Sequence, residues 1–233
     1  MTVQTTGPLG EQADPHKGKV KDGLAGGELV ARLLDDTWCD PKGPWGWFCA
    51  VNHKSIAKRF LVTCLVFFAL GGLLAASMRM QLARPGNTLM GPDLYNQVFS
   101  MHGTTMMFLF AVPVMQAVAI YLIPLMLGTR STAFPRMTAY SYWIFLFGGV
   151  MIFIAFFLNT GPEAGWFAYP PLSGPEYSAG KRTDFWAQMI TFTEVSALLD
   201  AVIIIATVFK LRAPGMTLNR IPLYVWAMLV TAF

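Results

Sequence analysis

An all-α integral membrane protein, built as a bundle of transmembrane helices with about five in this chain, is the fold class the sequence predicts. Three observations predict it. Of 233 residues, 55% are hydrophobic and only 13% are charged, and the mean hydropathy is positive, a composition far from that of a soluble domain. The apolar residues gather in runs long enough to cross a bilayer, which needs about 20 residues. The charges lie almost entirely between those runs.

The elements follow in order. Residues 1–27 are rich in Gly, Asp, Lys and Thr without apolar periodicity, and are expected to form a disordered cytoplasmic tail. Residues 28–50 are expected to be interfacial: "GELVARLLDD" places Leu29, Arg32 and Leu33 at helical spacing, and "GPWGWF" supplies tryptophan anchors. Residues 51–233 hold the membrane part, with apolar segments at about 57–78, 94–127, 138–159, 184–209 and from 221 onward. The last of these, "IPLYVWAMLVTAF", runs only 13 residues to Phe233. A carboxylate and free helix carbonyls in hydrocarbon are costly, so the expectation is that the chain is the amino-terminal portion of a longer protein, or that another chain completes the span.

Charge sets the orientation and excludes other classes. The tail and the second and fourth loops carry 13 of the 17 Lys and Arg residues, which by the positive-inside rule puts the amino terminus in the cytoplasm and the loop containing "YPPL" outside. These basic residues flank apolar segments, so they serve topology and not nucleic acid. Cys39, Cys49 and Cys64 lack metal-type spacing and read as structural. No apolar stretch lies early enough to be a secretory signal.

One residue asks for a chemical explanation. His16 lies in the tail, and His53 begins the first span, where a polar interfacial role suffices. His102, in "FSMHGTTMMF", lies inside an apolar segment, where ionisable side chains are costly and usually functional. Small residues around it (Ser100, Gly103, Thr104, Thr105) would let a large flat ligand approach the backbone. Spacing alone leaves two readings open: a histidine hydrogen-bonded to a neighbouring helix, or an axial ligand to haem iron.

The wider pattern carries more. The stretch "LYNQVFSMHGTTMMFLFAVPVMQAVAIYLIPLMLGTRSTAFPRMTAYSYW", together with "VNHKSIAKRF", "RMQLARPGNTL" and "GPEAGWFAYPPLS", resembles subunit I of the haem-copper oxidases, in register from about Asn52 to Phe233. The resemblance implies a full subunit of about twelve helices. It implies that His102 is one of two axial ligands of a low-spin haem, the iron being the only metal this segment would ligate. It implies that Arg79 hydrogen-bonds that haem and that the Trp166 indole points at a haem propionate. On spacing alone Arg79 also suits a snorkelling interfacial arginine and Trp166 an aromatic-belt residue. The second low-spin ligand, the high-spin haem ligand and the copper ligands of the family all match positions beyond Phe233.

Departures from the family pattern bear on protons and electrons. The aspartate that opens the family's proton channel, and its two asparagines, are here Ser131, Ile120 and Thr138; the usual channel is expected to be absent. Glu194 and Asp200 in the fourth span are candidates for an alternative proton route or for contact with another subunit, although six residues set them about 120° apart around a helix. The Arg and Asp of quinol-using relatives are replaced by Leu70 and Leu74, so cytochrome c or a related outer-side haem protein is the expected donor.

Taken together, these readings predict the catalytic subunit of a respiratory terminal oxidase in a bacterial inner membrane. It would use low-spin and high-spin haem, of a type, with copper, and work with other oxidase subunits. The rival readings are a nitric-oxide reductase-like member of the superfamily and a non-catalytic helical membrane subunit.

Overall fold

Proline and asparagine start the helices of this computed structural model, which describes Ala31, Leu33 and residues 43–233. Helix α1 (Pro44–Cys49), α3 (Pro92–Met126) and α4 (Pro135–Phe157) each open with proline in the first turn, where the missing N–H has no helical partner to lose. Helix α2 (His53–Gln81) is capped by Asn52, whose side chain accepts from the Lys54 N–H at 3.1 Å. Helix α5 (Arg182–Lys210) has Asp184 in its first turn and Lys210 in its last, the placement the helix dipole favours. A short helix α6 (Leu223–Ala232) follows a 3₁₀ turn at Leu218–Arg220.

Four of these helices, α2 to α5, are long and apolar enough to cross a membrane, and among the described residues there is no strand. The protein is an all-helical bundle as the composition demanded. The spans extend a few residues beyond the predicted apolar runs because polar end residues such as His53, Arg79 and Arg182 still take helical geometry. The fifth apolar segment forms the ten-residue α6. The predicted tail at 1–27 lies outside the described residues. Of the predicted interfacial segment only Ala31, Leu33 and 43–50 are described, the first two helical. The described residues from 43 onward belong to one compact unit.

Packing within that unit is close where glycine permits it. A Cβ on Gly149 of α4 would lie 2.4 Å from Phe67 Cζ of α2, and one on Gly148 would lie 2.8 Å from Phe192 Cβ of α5. These two positions let α4 lie against both neighbours. Phe60, Phe67, Leu109, Tyr142, Phe145, Ile152 and Met189 fill the resulting core, and a second cluster around Ile123, Val208, Val225 and Leu229 joins α3, α5 and α6.

Two cationic side chains fasten the ends. Arg59 is buried and donates to the carbonyls of Trp47 (2.8 Å) and Ala50 (2.7 Å), with its guanidinium 5.4 Å from the Trp47 ring and 5.1 Å from that of Tyr142. It ties α1 to α2 and α4. At the opposite end Arg182 donates to Asp93 of α3 (2.6 Å) and to Glu163 of the α4–α5 loop. That clasp holds the loop beside the start of α3, where the site forms.

Candidate functional site

His102 lies on the third turn of α3, half-buried, with its Nδ1 2.9 Å from the Gly71 carbonyl oxygen of α2. A carbonyl can only accept, so Nδ1 carries the proton, and of the two neutral tautomers this bond selects the one with its lone pair on Nε2. Gly71 allows the approach: a Cβ there would meet Met106 Sδ at 2.8 Å and Thr105 Cγ2 at 3.5 Å.

The next turns of α3 are not α-helical. Thr105–Ala111 forms a π segment, and Pro113 explains it. Proline has no N–H to give the carbonyl four residues back, Leu109, and its ring crowds that carbonyl. The turn widens, and Val112 donates to the Met107 carbonyl. A widened turn inside a span sets the register of everything preceding it, including His102.

On the other side of His102 the α4–α5 loop folds over α3. Ser100 Oγ accepts from the Gly165 N–H at 2.8 Å, Gly165 taking a φ of 80° that glycine adopts without strain. The following residue, Trp166, then lies on Gly103, so closely that a Cβ on Gly103 would be 2.6 Å from Trp166 Cδ1. Trp186 Nε1 donates to Thr104 Oγ1 at 3.1 Å, which fixes α5 against the same turn. The structure therefore brings Trp166 beside His102. Arg79 is exposed in the last turn of α2, eight residues beyond Gly71, or about 12 Å along the axis.

The two carboxylates of α5 diverge. Asp200 is 1% exposed and accepts from Ser141 Oγ at 2.7 Å through Oδ1, while Oδ2 has no partner. Glu194 is exposed on the same helix. Asp200 sits in a seam of buried hydroxyls between α4 and α5: Ser196 Oγ donates to the Ser141 carbonyl (2.9 Å), and Thr138 and Thr132 share a hydroxyl contact of 3.0 Å. The Ala133 N–H donates to Thr207 Oγ1 (3.0 Å), and Ser131 Oγ is buried without a partner. Ile120 borders a cavity of about 10 Å³ beside Thr132 and Thr207, near the least that one water needs. Leu70 and Leu74 pack at the edge of the main core. Among the described residues no three His, Cys, Asp or Glu side chains converge as a metal cluster, and Cys49 and Cys64 are free.

Fold and site together define a helical integral membrane protein with one imidazole pinned at Nδ1 and presented through Nε2. The sequence profile of the family described as cytochrome c and quinol oxidase polypeptide I matches residues 55–233, and the chain belongs to that family. It is 42% identical over 209 residues to cytochrome c oxidase subunit 1 of Synechocystis sp., covering 90% of this chain and 36% of that protein. To cytochrome c oxidase subunit 1 of Bacillus subtilis it is 38% identical over 188 residues, covering 81% of this chain and 30% of the relative. The corresponding protein of Bacillus sp. PS3 is 39% identical over 188 residues, with the same coverage. The chain thus spans about a third of the length of the curated relatives it matches.

Sequence reasoning named candidate side chains for the site but none of their partners. The Gly71 carbonyl is a backbone group and leaves no side-chain signature. The Ser100 hydroxyl and the π segment were visible only as a small polar residue and as Pro113, neither of which specifies a contact.

Proposed function

We propose that this chain is the amino-terminal portion of the catalytic subunit of a respiratory terminal oxidase. In the whole protein, electrons from cytochrome c or a related outer-side donor pass through a low-spin haem to a haem-copper centre that reduces O2 to water. The observation that carries this reading is the hydrogen bond from His102 Nδ1 to the Gly71 carbonyl. Such a bond selects the tautomer, orients the ring and raises the basicity of the ligating nitrogen.

The residues present fit a haem. When bound, it supplies a one-electron iron couple, and two neutral imidazoles keep that iron six-coordinate. His102 would ligate through Nε2, Gly103 lets Trp166 lie against the same turn of α3, and Trp166 would offer its indole N–H to a propionate. Arg79, exposed at the end of α2, would donate a charge-assisted hydrogen bond to a peripheral oxygen, a formyl where the haem is of a type. The second axial ligand and the copper ligands belong to the remaining two thirds of the relatives' length. Leu70 and Leu74 offer a quinone headgroup no hydrogen bond, which favours a protein donor.

Protons are assigned to the hydroxyl seam. Ser131, Thr132, Thr138, Ser141 and Ser196 can each donate and accept, and Asp200 is the ionisable group among them. Ten residues separate it from Lys210, about 15 Å along α5. With the amino terminus cytoplasmic, that end faces the cytoplasm, so Asp200 receives protons from that side and stands in for the missing entrance aspartate. Glu194 is turned away from the seam and would meet the remaining helices or another subunit. The whole complex belongs in a bacterial inner membrane.

The reading is tested on the purified complex by a reduced-minus-oxidised spectrum with and without carbon monoxide. A low-spin haem band together with a carbon-monoxide-sensitive high-spin band is expected. A complex with no carbon-monoxide-reactive haem would contradict the oxidase assignment. For Asp200, the Asp200→Asn variant should keep both haem bands and lose at least about tenfold in turnover, the usual scale of a lost proton-transfer group. Unchanged turnover and unchanged proton uptake per O2 would remove Asp200 from the route.

A further inference from the structure

The outer face of α2 carries two apolar grooves, and a single residue, Lys58, borders both. The larger, about 750 Å³, runs between α2 and α4 along Val62, Val66, Leu70, Leu146, Val150 and Phe157. The smaller, about 330 Å³, lies between α2 and α3 along Ala57, Leu61, Ala117, Val118, Tyr121 and Leu122. From Ser55 to Leu70 the larger groove follows α2 for about 22 Å, more than the roughly 15 Å that one leaflet of the hydrocarbon core measures. Polar groups are confined to one end, where Ser55, Lys58, Arg59 and Thr63 stand beside Trp47. No Asp or Glu lines either groove.

We infer that α2 carries a binding site for an anionic diacyl phospholipid of the leaflet at the His53 end of the span. The headgroup phosphate sits at Lys58, one acyl chain follows the larger groove, and the smaller, about 6 Å long on α2, receives only the first carbons of the other. Three features point to this ligand and not to a helix of a partner. The two grooves diverge from a common cation, as two chains diverge from one glycerol. The charge at the mouth is of one sign and is complementary to phosphate. Arg59 is already held by the Trp47 and Ala50 carbonyls, so Lys58, exposed beside it, is the donor that a headgroup would engage. Thr63, whose hydroxyl is 3.1 Å from that of Tyr142, closes the polar end and leaves the rest of the groove to hydrocarbon.

The test uses the intact complex in vesicles doped with phosphatidylglycerol or phosphatidylcholine, each carrying a photoactivatable diazirine in one acyl chain. Labelled peptides are mapped by mass spectrometry. Wild-type protein should be labelled within 55–70 and 142–157 about fivefold more by phosphatidylglycerol than by phosphatidylcholine, the preference that one basic side chain at a membrane surface confers. Lys58→Gln should bring the two lipids to parity with the haem spectrum unchanged. Val150→Trp, which fills the larger groove, should reduce labelling by both lipids. Equal labelling by the two lipids in the wild type would overturn the proposal. So would failure of either lipid to label these peptides while a cysteine at position 62 (Val62→Cys) cross-links to another polypeptide, because the groove would then be a protein interface.

Discussion

His102 is an ordinary imidazole whose chemistry is set by one acceptor. The Gly71 carbonyl holds the proton on Nδ1 and frees Nε2, and this depends on α2 presenting an unhindered backbone at that point. Gly71→Val should therefore push α2 away from Met106, lengthen that bond, and broaden or shift the low-spin haem band in the optical spectrum while total protein remains. Gly103 makes a second prediction. A valine there places its Cβ within 2.6 Å of Trp166 Cδ1, a separation no side chain tolerates, so Trp166 must swing out. The expected result is a shifted midpoint potential of the low-spin haem with its axial ligation intact, measured by redox titration and electron paramagnetic resonance. His102 and Asp200 were legible as candidates from single letters, because a histidine or a carboxylate inside an apolar run is chemically costly, whereas Trp166 was named only through the family resemblance. Their hydrogen-bond partners were not legible, since a glycine carbonyl and a serine hydroxyl look the same in a sequence wherever they point.

Helices were legible for the same reason that they form. Apolar runs of the right length have no alternative to helix in a bilayer, because every backbone group must find its partner within the segment. What the runs concealed is the π segment at Thr105–Ala111, since hydrophobicity is indifferent to whether a turn holds 3.6 residues or more. Pro113 is its cause by geometry. Pro113→Ala restores the N–H and relieves the crowding at Leu109, so the widened turn should tighten. One residue of altered phase is about 100° of rotation, enough to carry His102 away from Gly71. Loss of low-spin haem in Pro113→Ala, with helix content by circular dichroism unchanged, is the expected outcome. Arg59 makes the element-scale prediction for stability. It supplies two charged hydrogen bonds that join α1 to α2, and bonds to charged donors contribute about 1.5–3 kcal/mol each. Arg59→Met should lower the apparent melting temperature of the complex, measured by a thermal scan with the haem spectrum as a check on assembly.

At the scale of the whole molecule, the described bundle presents an outer surface rich in large apolar residues, among them Val62, Leu73, Phe147 and Leu198, as a protein sheathed by lipid and neighbouring helices requires. The chain places one imidazole, His102, toward the end where the Arg182 clasp holds the α4–α5 loop, and one buried carboxylate, Asp200, nearer the Lys210 end. Arg182→Gln should loosen the loop that carries Trp166, because Asp93 and Glu163 lose their common partner. Faster proteolysis of residues 158–181 in the variant would check it. The order of spans was legible from charge and hydropathy, whereas the seam around Asp200 was not: Thr138 and Ser141 come from α4, Ser196 and Thr207 from α5, and Ser131 and Thr132 from the loop before α4, and only folding brings them together.

The central claim is that His102 ligates a low-spin haem, and its most direct measurement is the haem content and electron paramagnetic resonance spectrum of a purified His102→Ala complex. The account predicts one haem fewer per complex by pyridine haemochrome and loss of the bis-imidazole low-spin signal, with the carbon-monoxide-reactive haem retained. An unchanged haem count with the low-spin signal intact would contradict it.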